Sequence, residues 1–210
     1  MSPSDVSDTA PSARLLAVRE RILRGAARIF VERGFSGTKL TDIASAAGLQ
    51  TGSLYYHFVD RAALVHEVTR RGVLDSVEAA RKAVAECSSE ATSRDRLLAA
   101  VDAHIWSILR PDSLAPAAIS LLPQLPPEQR ERVHQETSIF KSFWVGLGTA
   151  AAADGYLDDE VDVNLQILVI VNTLNSVISW TEAQRSNRAA TTSAFRRLLE
   201  AGFLRRSKKM

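Results

Sequence analysis

Six of the seven residues from 51 to 57, namely Thr51, Gly52, Ser53, Tyr55, Tyr56 and His57, bring hydroxyls, an imidazole and one bare backbone position into a single short run. Small hydroxyls and a glycine let a backbone approach a polar surface closely, and Tyr or His can donate to phosphate oxygens. The chemistry on offer is recognition of phosphates and base edges, with no bond made or broken. Two adjacent tyrosines that merely covered the helices beneath them would be the plainer use of the same run.

Other chemistries find little support. His57, His66, His104 and His134 lack the CxxC, HxxxH or HExxH spacing of a zinc site, and the lone Cys87 cannot form an internal disulfide. No Gly-rich phosphate loop or nucleophile elbow is present, and Asp158-Asp159-Glu160 reads as a solvated helix start. No enzyme, metal or cofactor is therefore expected.

Charge is informative only when divided along the chain. The 210 residues carry 26 Lys+Arg and 24 Asp+Glu, yet residues 14–62 hold eight basic side chains (Arg14, Arg19, Arg21, Arg24, Arg28, Arg33, Lys39, Arg61) against four acidic ones. That local excess is a modest footprint for a polyanion. The polar, acidic start MSPSDVSDTAPSAR is unlike a secretory signal, and the longest apolar run, Ile167 to Val171, falls far short of the roughly 18 residues that cross a bilayer. A cytoplasmic protein without membrane contact is expected.

The elements that must position the run are helices, because apolar residues recur at three- and four-residue spacing and no stretch alternates like a strand. A first helix spans about Leu15 to Arg33 and stops at Gly34. Thr38 is placed to cap a short helix, Lys39 to Ala47, which Gly48-Leu49 breaks, and a third covers Thr51 to Phe58 with Leu54 and Phe58 inward. Asp60 caps a long fourth helix reaching about Cys87. Further helices are expected over Thr92 to Leu109, around Ala115 to Leu122, from Pro127 to Ala153, from Asp158 or Asp159 through an almost wholly apolar centre at Leu165 to Ile178, and from Thr191 to Leu204 before a basic tail.

A short helix, a glycine turn and a second short helix over LTDIASAAGLQTGSLYYHF (Leu40 to Phe58) read as a helix-turn-helix whose second helix enters a major groove. The stretch FVERGFSGTKLTDIASAAGLQTGSLYYHFVDRAAL, within residues 15–64, resembles the DNA-binding head of the tetracycline-repressor (TetR) family. The resemblance implies a three-helix head on an all-helical body that dimerises and holds a small-molecule pocket. It also implies that Thr51, Gly52, Ser53 and Tyr56 approach bases, that Thr38, Tyr55, His57 and Arg61 hold phosphates, and that Thr41 serves either. Gln50-Thr51 replaces the common Ser-Lys, which removes a cation and shifts specificity toward Gln50, Thr51 and Tyr56. The domains expected are a flexible tail (1–14), the DNA-binding head (15–62) and an effector-binding and dimerisation body (63–210). Arg14 and Arg19 either reach the DNA backbone or minor groove or belong to an incidental tail.

One head gives too few contacts for specificity, so a pseudo-palindromic site read by a homodimer is expected. The last two helices are the candidate interface, through Val171, Leu174, Ile178, Phe195, Leu198, Leu199 and Phe203, paired as a four-helix bundle unless both are buried within one chain. Trp106, Trp144 and Trp180, with Phe140 and His104, lie on helices that line the family's pocket. Asn172, Asn175 and Ser176 are polar positions in an apolar helix that need a ligand, a second subunit or a backbone partner. Each aromatic, taken singly, is better explained by core packing.

The closing segment GYLDDEVDVNLQILVIVNTLNSVISW resembles the C-terminal part of members that sense acyl-CoA thioesters of lipid or sterol breakdown. The function expected is a ligand-responsive repressor released from double-stranded operator DNA by a small lipophilic effector. A dimeric helical interaction module without specific DNA binding is the alternative.

Overall fold

The computed structural model describes residues 13–180 and 187–204, and every regular element among them is helical. The expected tail lies outside the described residues apart from Ala13 and Arg14, which open the first helix, and the basic stretch 205–210 lies outside them as well.

Three helices form the head: α1 (Ala13–Arg33), α2 (Leu40–Ala46) and α3 (Thr51–His57). Ile22, Leu23, Ala26 and Phe30 of α1 pack with Ile43, Ala44, Leu54 and Phe58. Gly34 (φ +70°) and Gly48 (φ +66°) make the two turns, a left-handed backbone that a Cβ disfavours. Gly25 lets the helices cross closely, because a Cβ there would lie 3.2 Å from the Ala47 nitrogen. The expected cap of α2 is corrected. Lys39 is the N-cap, with its backbone N–H donating to the Asp42 carboxylate at 3.1 Å, whereas the Thr38 hydroxyl turns back to donate to the Gly34 carbonyl at 2.8 Å.

The long α4 (Arg61–Ala85) leaves directly from the head and is capped by Asp60, whose carboxylate accepts from the Ala63 N–H at 2.7 Å. Next come α5 (Ser93–Leu109), opened by a reciprocal Thr92–Asp95 cap, and α6 (Ala115–Leu121), which runs into a 3₁₀ turn at Leu122–Gln124. The single helix expected from Pro127 to Ala153 is two, α7 (Pro127–Glu136) and α8 (Ser138–Ala153). Buried Thr137 breaks it: its hydroxyl donates to the Val133 carbonyl at 2.7 Å and its backbone leaves the helical region (φ −114°, ψ 20°).

Asp162, not Asp158 or Asp159, caps α9 (Val163–Asn175), which tightens into a 3₁₀ turn at Ser176–Ser179, and α10 (Arg188–Gly202) closes the described chain. Two cores result. Leu97, Leu98, Val101, Ile105, Trp144 and Ile170 belong to the body core, and the head core continues past α3 into Leu64, Val65 and Val68 of α4. Helix α6 joins them, placing Ala115 in the body core but Leu114, Ala117 and Leu121 in the head core. At its crossing with α4, a Cβ on Gly72 would meet the Leu114 carbonyl oxygen and the Ala118 Cβ, each at 2.6 Å.

Candidate nucleic-acid interface and effector site

The recognition surface is built on α3. Leu54 and Phe58 are buried and fix the helix, so Gly52, Ser53, Tyr55 and Tyr56 stand exposed, with Thr51 and His57 half-buried beside them. Tyr56 is 78% exposed and meets the His57 ring edge-on at 5.4 Å. A phenol that exposed covers nothing beneath it, which removes the plainer reading for Tyr56. Gln50 is the exposed N-cap of α3, and Thr41 is exposed on α2.

Two of the expected phosphate contacts are placed differently from the rest. Thr38 is 3% exposed and its hydroxyl proton is committed to Gly34, so it shapes the turn at the start of α2. Arg61, in the first turn of α4, lies over the Phe35 ring at 4.2 Å, and its Nε and Nη2 are buried without a hydrogen-bond partner among the described residues. Arg19 folds onto the head: its guanidinium lies 4.3 Å over Phe58, donates to the His57 carbonyl at 3.0 Å and pairs with Glu67 at 3.5 Å. It orients the end of the recognition helix.

The head is tied to its neighbours by charge. Arg33 of α1 pairs with Asp42 of α2 at 3.2 Å, and Arg71 of α4 pairs with Glu20 of α1 at 3.1 Å. Arg21 donates to the Ala47 carbonyl at 2.6 Å, satisfying the C-terminal end of α2.

Of the eight residues read as an effector site, the body gathers four. His104, Phe140 and Trp144 form one aromatic cluster, with the His104 and Trp144 rings edge to face at 5.6 Å, and His104 Nε2 lies 2.9 Å from Asn175 Oδ1. Burial holds the His104 pKa below its ordinary value against the opposing Asn175 bond, so the imidazole is neutral at neutral pH. His104 Nδ1 and Trp144 Nε1 are both buried without a hydrogen-bond partner among the described residues. Two orphaned polar atoms in one aromatic cluster are costly, and a ligand with a polar group would satisfy them.

The other four lie elsewhere. Trp106 is 45% exposed beneath Arg188, and Trp180 stacks on Phe195 at 5.2 Å. Asn172 and Ser176 are exposed and bond back to the Leu168 and Thr173 carbonyls, the ordinary backbone use of such residues.

The interface reading changes most. Val171, Leu174, Phe195 and Leu199 are buried within one chain, and Ile178 and Phe203 pack against the same core, so only Leu198 of that set is exposed. Helix α10 docks on α5, where Arg196 donates to Asp102 at 3.0 Å and Arg94 to Glu200 at 3.1 Å. The exposed apolar stripe of α9 is instead Leu165, Leu168 and Val169, and the neighbouring α8 exposes Gly146, Thr149, Ala150 and Ala153 at helical spacing. Gly148 brings α8 and α9 together, since a Cβ there would press on Ile167. Large residues on one helix and small ones on the next are complementary surfaces for a second copy.

No helix among the described residues is long and apolar enough to cross a membrane, and none of their His, Cys, Asp and Glu residues form a group of three that could hold a metal.

Comparison with known proteins agrees with this geometry in both halves. Residues 22–68 match the model of the bacterial regulatory proteins of the tetR family, and residues 90–184 match that of the tetracyclin repressor-like C-terminal domain. The chain belongs to the tetR family of bacterial regulatory proteins. As a member it is a DNA-binding regulator with a helix-turn-helix head and a helical ligand-binding body. The HTH-type transcriptional repressor KstR2 of Rhodococcus jostii (strain RHA1) is 29% identical over 181 residues, covering 86% of each chain. Among solved structures, AibR in complex with isovaleryl coenzyme A and operator DNA superposes with a TM-score of 0.69 at 21% identity, covering 85% of this chain and 96% of its own. FadR from Bacillus subtilis in complex with stearoyl-CoA does so with a TM-score of 0.70 at 19% identity, covering 87% of this chain and 98% of its own. Those two likenesses concern the fold.

Proposed function

We propose that a cytoplasmic homodimer of this chain represses transcription from a pseudo-palindromic operator and is released when a small lipophilic effector, a CoA thioester, enters the body. The exposed face of α3, with Tyr56 at its most open point, carries this reading. Thr51, Gly52, Ser53 and Tyr56 contact base edges, with Gln50 beside them, while Tyr55, His57 and Arg61 hold phosphates and Thr41 joins them from α2. Arg61 reaches a phosphate by swinging off the Phe35 ring, which opens its unpartnered donors to a charge-assisted bond. Thr38 contributes by fixing the turn.

Two heads are needed because base contacts discriminate by roughly 1–3 kcal/mol each and one short helix makes few. The stripes on α8 and α9 supply the second copy's docking face. The effector sits against His104, Phe140, Trp144 and Asn175, where its carbonyl or amide groups satisfy the buried Nδ1 and Nε1. Structures of two proteins with this fold hold CoA thioesters, which supports the ligand class.

Helix α6 transmits the change. It belongs to both cores, so a ligand that shifts its body end moves the surface on which α1 rests, and α4 carries the same displacement to the recognition helix. The effector acts only through its differential affinity for the two head arrangements, and operator DNA weakens effector binding by the same factor.

A mobility shift on the gene's own promoter tests this. A complex that survives physiological salt and is dissolved by isovaleryl- or stearoyl-CoA is the expected result. Thioesters that bind no better than unrelated amphiphiles would overturn the effector class.

A further inference from the structure

A groove of about 900 Å³ runs between head and body, within the size range of pockets that take drug-sized ligands. None of the aromatic effector residues lines it. One wall is α1 with the C-terminal end of α2, and the other is the last turn of α5, the connection to α6 and the first residue of α10.

Its charge is one-sided. Among the described residues, Arg21, Arg24 and Arg28 face it from the head and Arg110 and Arg188 from the body, against Glu32 and Asp112. Some of this charge is already engaged: Arg21 holds the end of α2, Arg28 reaches the Ala46 carbonyl at 3.5 Å, and Arg188 lies 5.9 Å from the Trp106 ring centre. The side chains of Arg24 and Arg110 make no hydrogen bond or ion pair among the described residues, although the Arg110 charge lowers the pKa of Asp75 against the larger, opposing effect of its burial. Asp112, on the rim, is the only non-glycine described residue with positive φ (61°), a conformation that costs free energy and is often retained beside ligand sites.

Guanidinium groups on opposite walls repel one another, and an anion shared between them removes that repulsion. Adjacent phosphates present several oxygens in the planar pattern that guanidinium forks bind bidentately, and they can span two arginines. We propose that this groove binds a small ligand carrying a diphosphate, its charge shared between Arg24 of the head and Arg110 of the body.

Because the walls belong to different parts of the molecule, the bound ligand clamps the head in one orientation on the body. Ile108, at the inner end of the groove, is one turn of α5 from His104, a rise of about 6 Å. A ligand anchored by its phosphates can therefore extend toward the aromatic cluster. That extension rests on the thioester reading above, whereas the diphosphate site does not.

Calorimetric titration of the full chain with adenosine, pyrophosphate, ADP, coenzyme A and stearoyl-CoA tests the site. ADP and coenzyme A are expected to bind and adenosine not to. The double variant R24Q/R110Q should weaken ADP and coenzyme A at least ten-fold, with melting temperature and ligand-free operator affinity unchanged. Should the double variant melt early, R24Q alone provides the same readout. ADP binding as well as coenzyme A makes a free nucleotide sufficient, and coenzyme A binding far better makes the thioester the carrier. Either supports a diphosphate site. If stearoyl-CoA fails to release DNA while ADP and coenzyme A still bind in an arginine-dependent way, the effector reading falls and the groove stands. No binding by any phosphate probe, or equal binding by a folded variant, overturns the proposal.

Discussion

His104 Nε2 and Asn175 Oδ1 lie 2.9 Å apart, joining the middle of α5 to the last residue of α9 inside the body. His104 Nδ1 has no partner among the described residues, and burial, against the opposing effect of the Asn175 bond, keeps the ring neutral. In the unfolded chain the imidazole takes up a proton near its ordinary pKa of 6.5, whereas burial in the folded state lowers that value. The unfolded state therefore binds more protons as the medium is acidified, so stability is complete above about pH 6.5 and lost as the pH falls below it. Thermal melts between pH 5 and pH 8 should show this slope, and H104Q should flatten it.

Trp144 is buried with its indole N–H unpaired. Replacing it by Phe removes a donor that makes no bond in the free protein, so W144F should melt within a few degrees of the wild type. Its affinity for stearoyl-CoA should fall several-fold, because a bond made only to the effector is lost. Paired melting and binding measurements separate these two effects.

Tyr56→Ala should abolish operator discrimination with helicity, melting temperature and dimer mass intact, because the side chain is 78% exposed and its ring contact is edge-on to His57. Each lost base contact costs roughly 1–3 kcal/mol and the dimer loses two, so a loss of specific affinity of about thirty-fold or more is expected in a competition mobility shift.

Gly72 and Gly52 make a contrasting pair. A Cβ at Gly72 would meet the Leu114 carbonyl oxygen at 2.6 Å, backbone that cannot step aside, so G72A should destabilise by about 1–3 kcal/mol in urea unfolding. Nothing lies within 4 Å of a Cβ at Gly52. G52A should leave stability unchanged while weakening DNA binding, where close approach of the backbone matters.

Leu168 is 57% exposed at the centre of the α9 stripe. Leu168→Lys should convert a dimer into a monomer by light scattering and remove operator binding, with α-helical content retained.

The head was legible in the sequence because its signals are local. Gly34, Gly48 and Asp60 mark ends, Leu54 and Phe58 mark the inner face, and these short-range rules hold in the structure. The body was less so. Thr137 breaks a helix with no Gly or Pro beside it, through a side-chain bond that composition does not announce. Apolarity showed that α9 and α10 are covered, but it does not distinguish cover by the same chain from cover by a second one. Phe195 and Leu199 turned out to face α5, and Leu165 and Leu168 to face outward. Half of the predicted effector set converged because His104, Phe140, Trp144 and Asn175 share a buried layer. Trp106 and Asn172 point away from it, which helical spacing alone left undecided. The arginine groove was invisible, since Arg24, Arg110 and Arg188 are far apart in the chain and meet only in the fold.

The proposed repressor requires sequence-specific DNA recognition by two α3 helices. Selection of genomic fragments by the purified full chain at physiological salt, followed by footprinting of the retained fragments, tests it most directly. A short pseudo-palindrome with two symmetric protected half-sites about one helical turn, or a multiple of it, apart is the expected result. Weak retention that is independent of sequence and vanishes with added salt would contradict it.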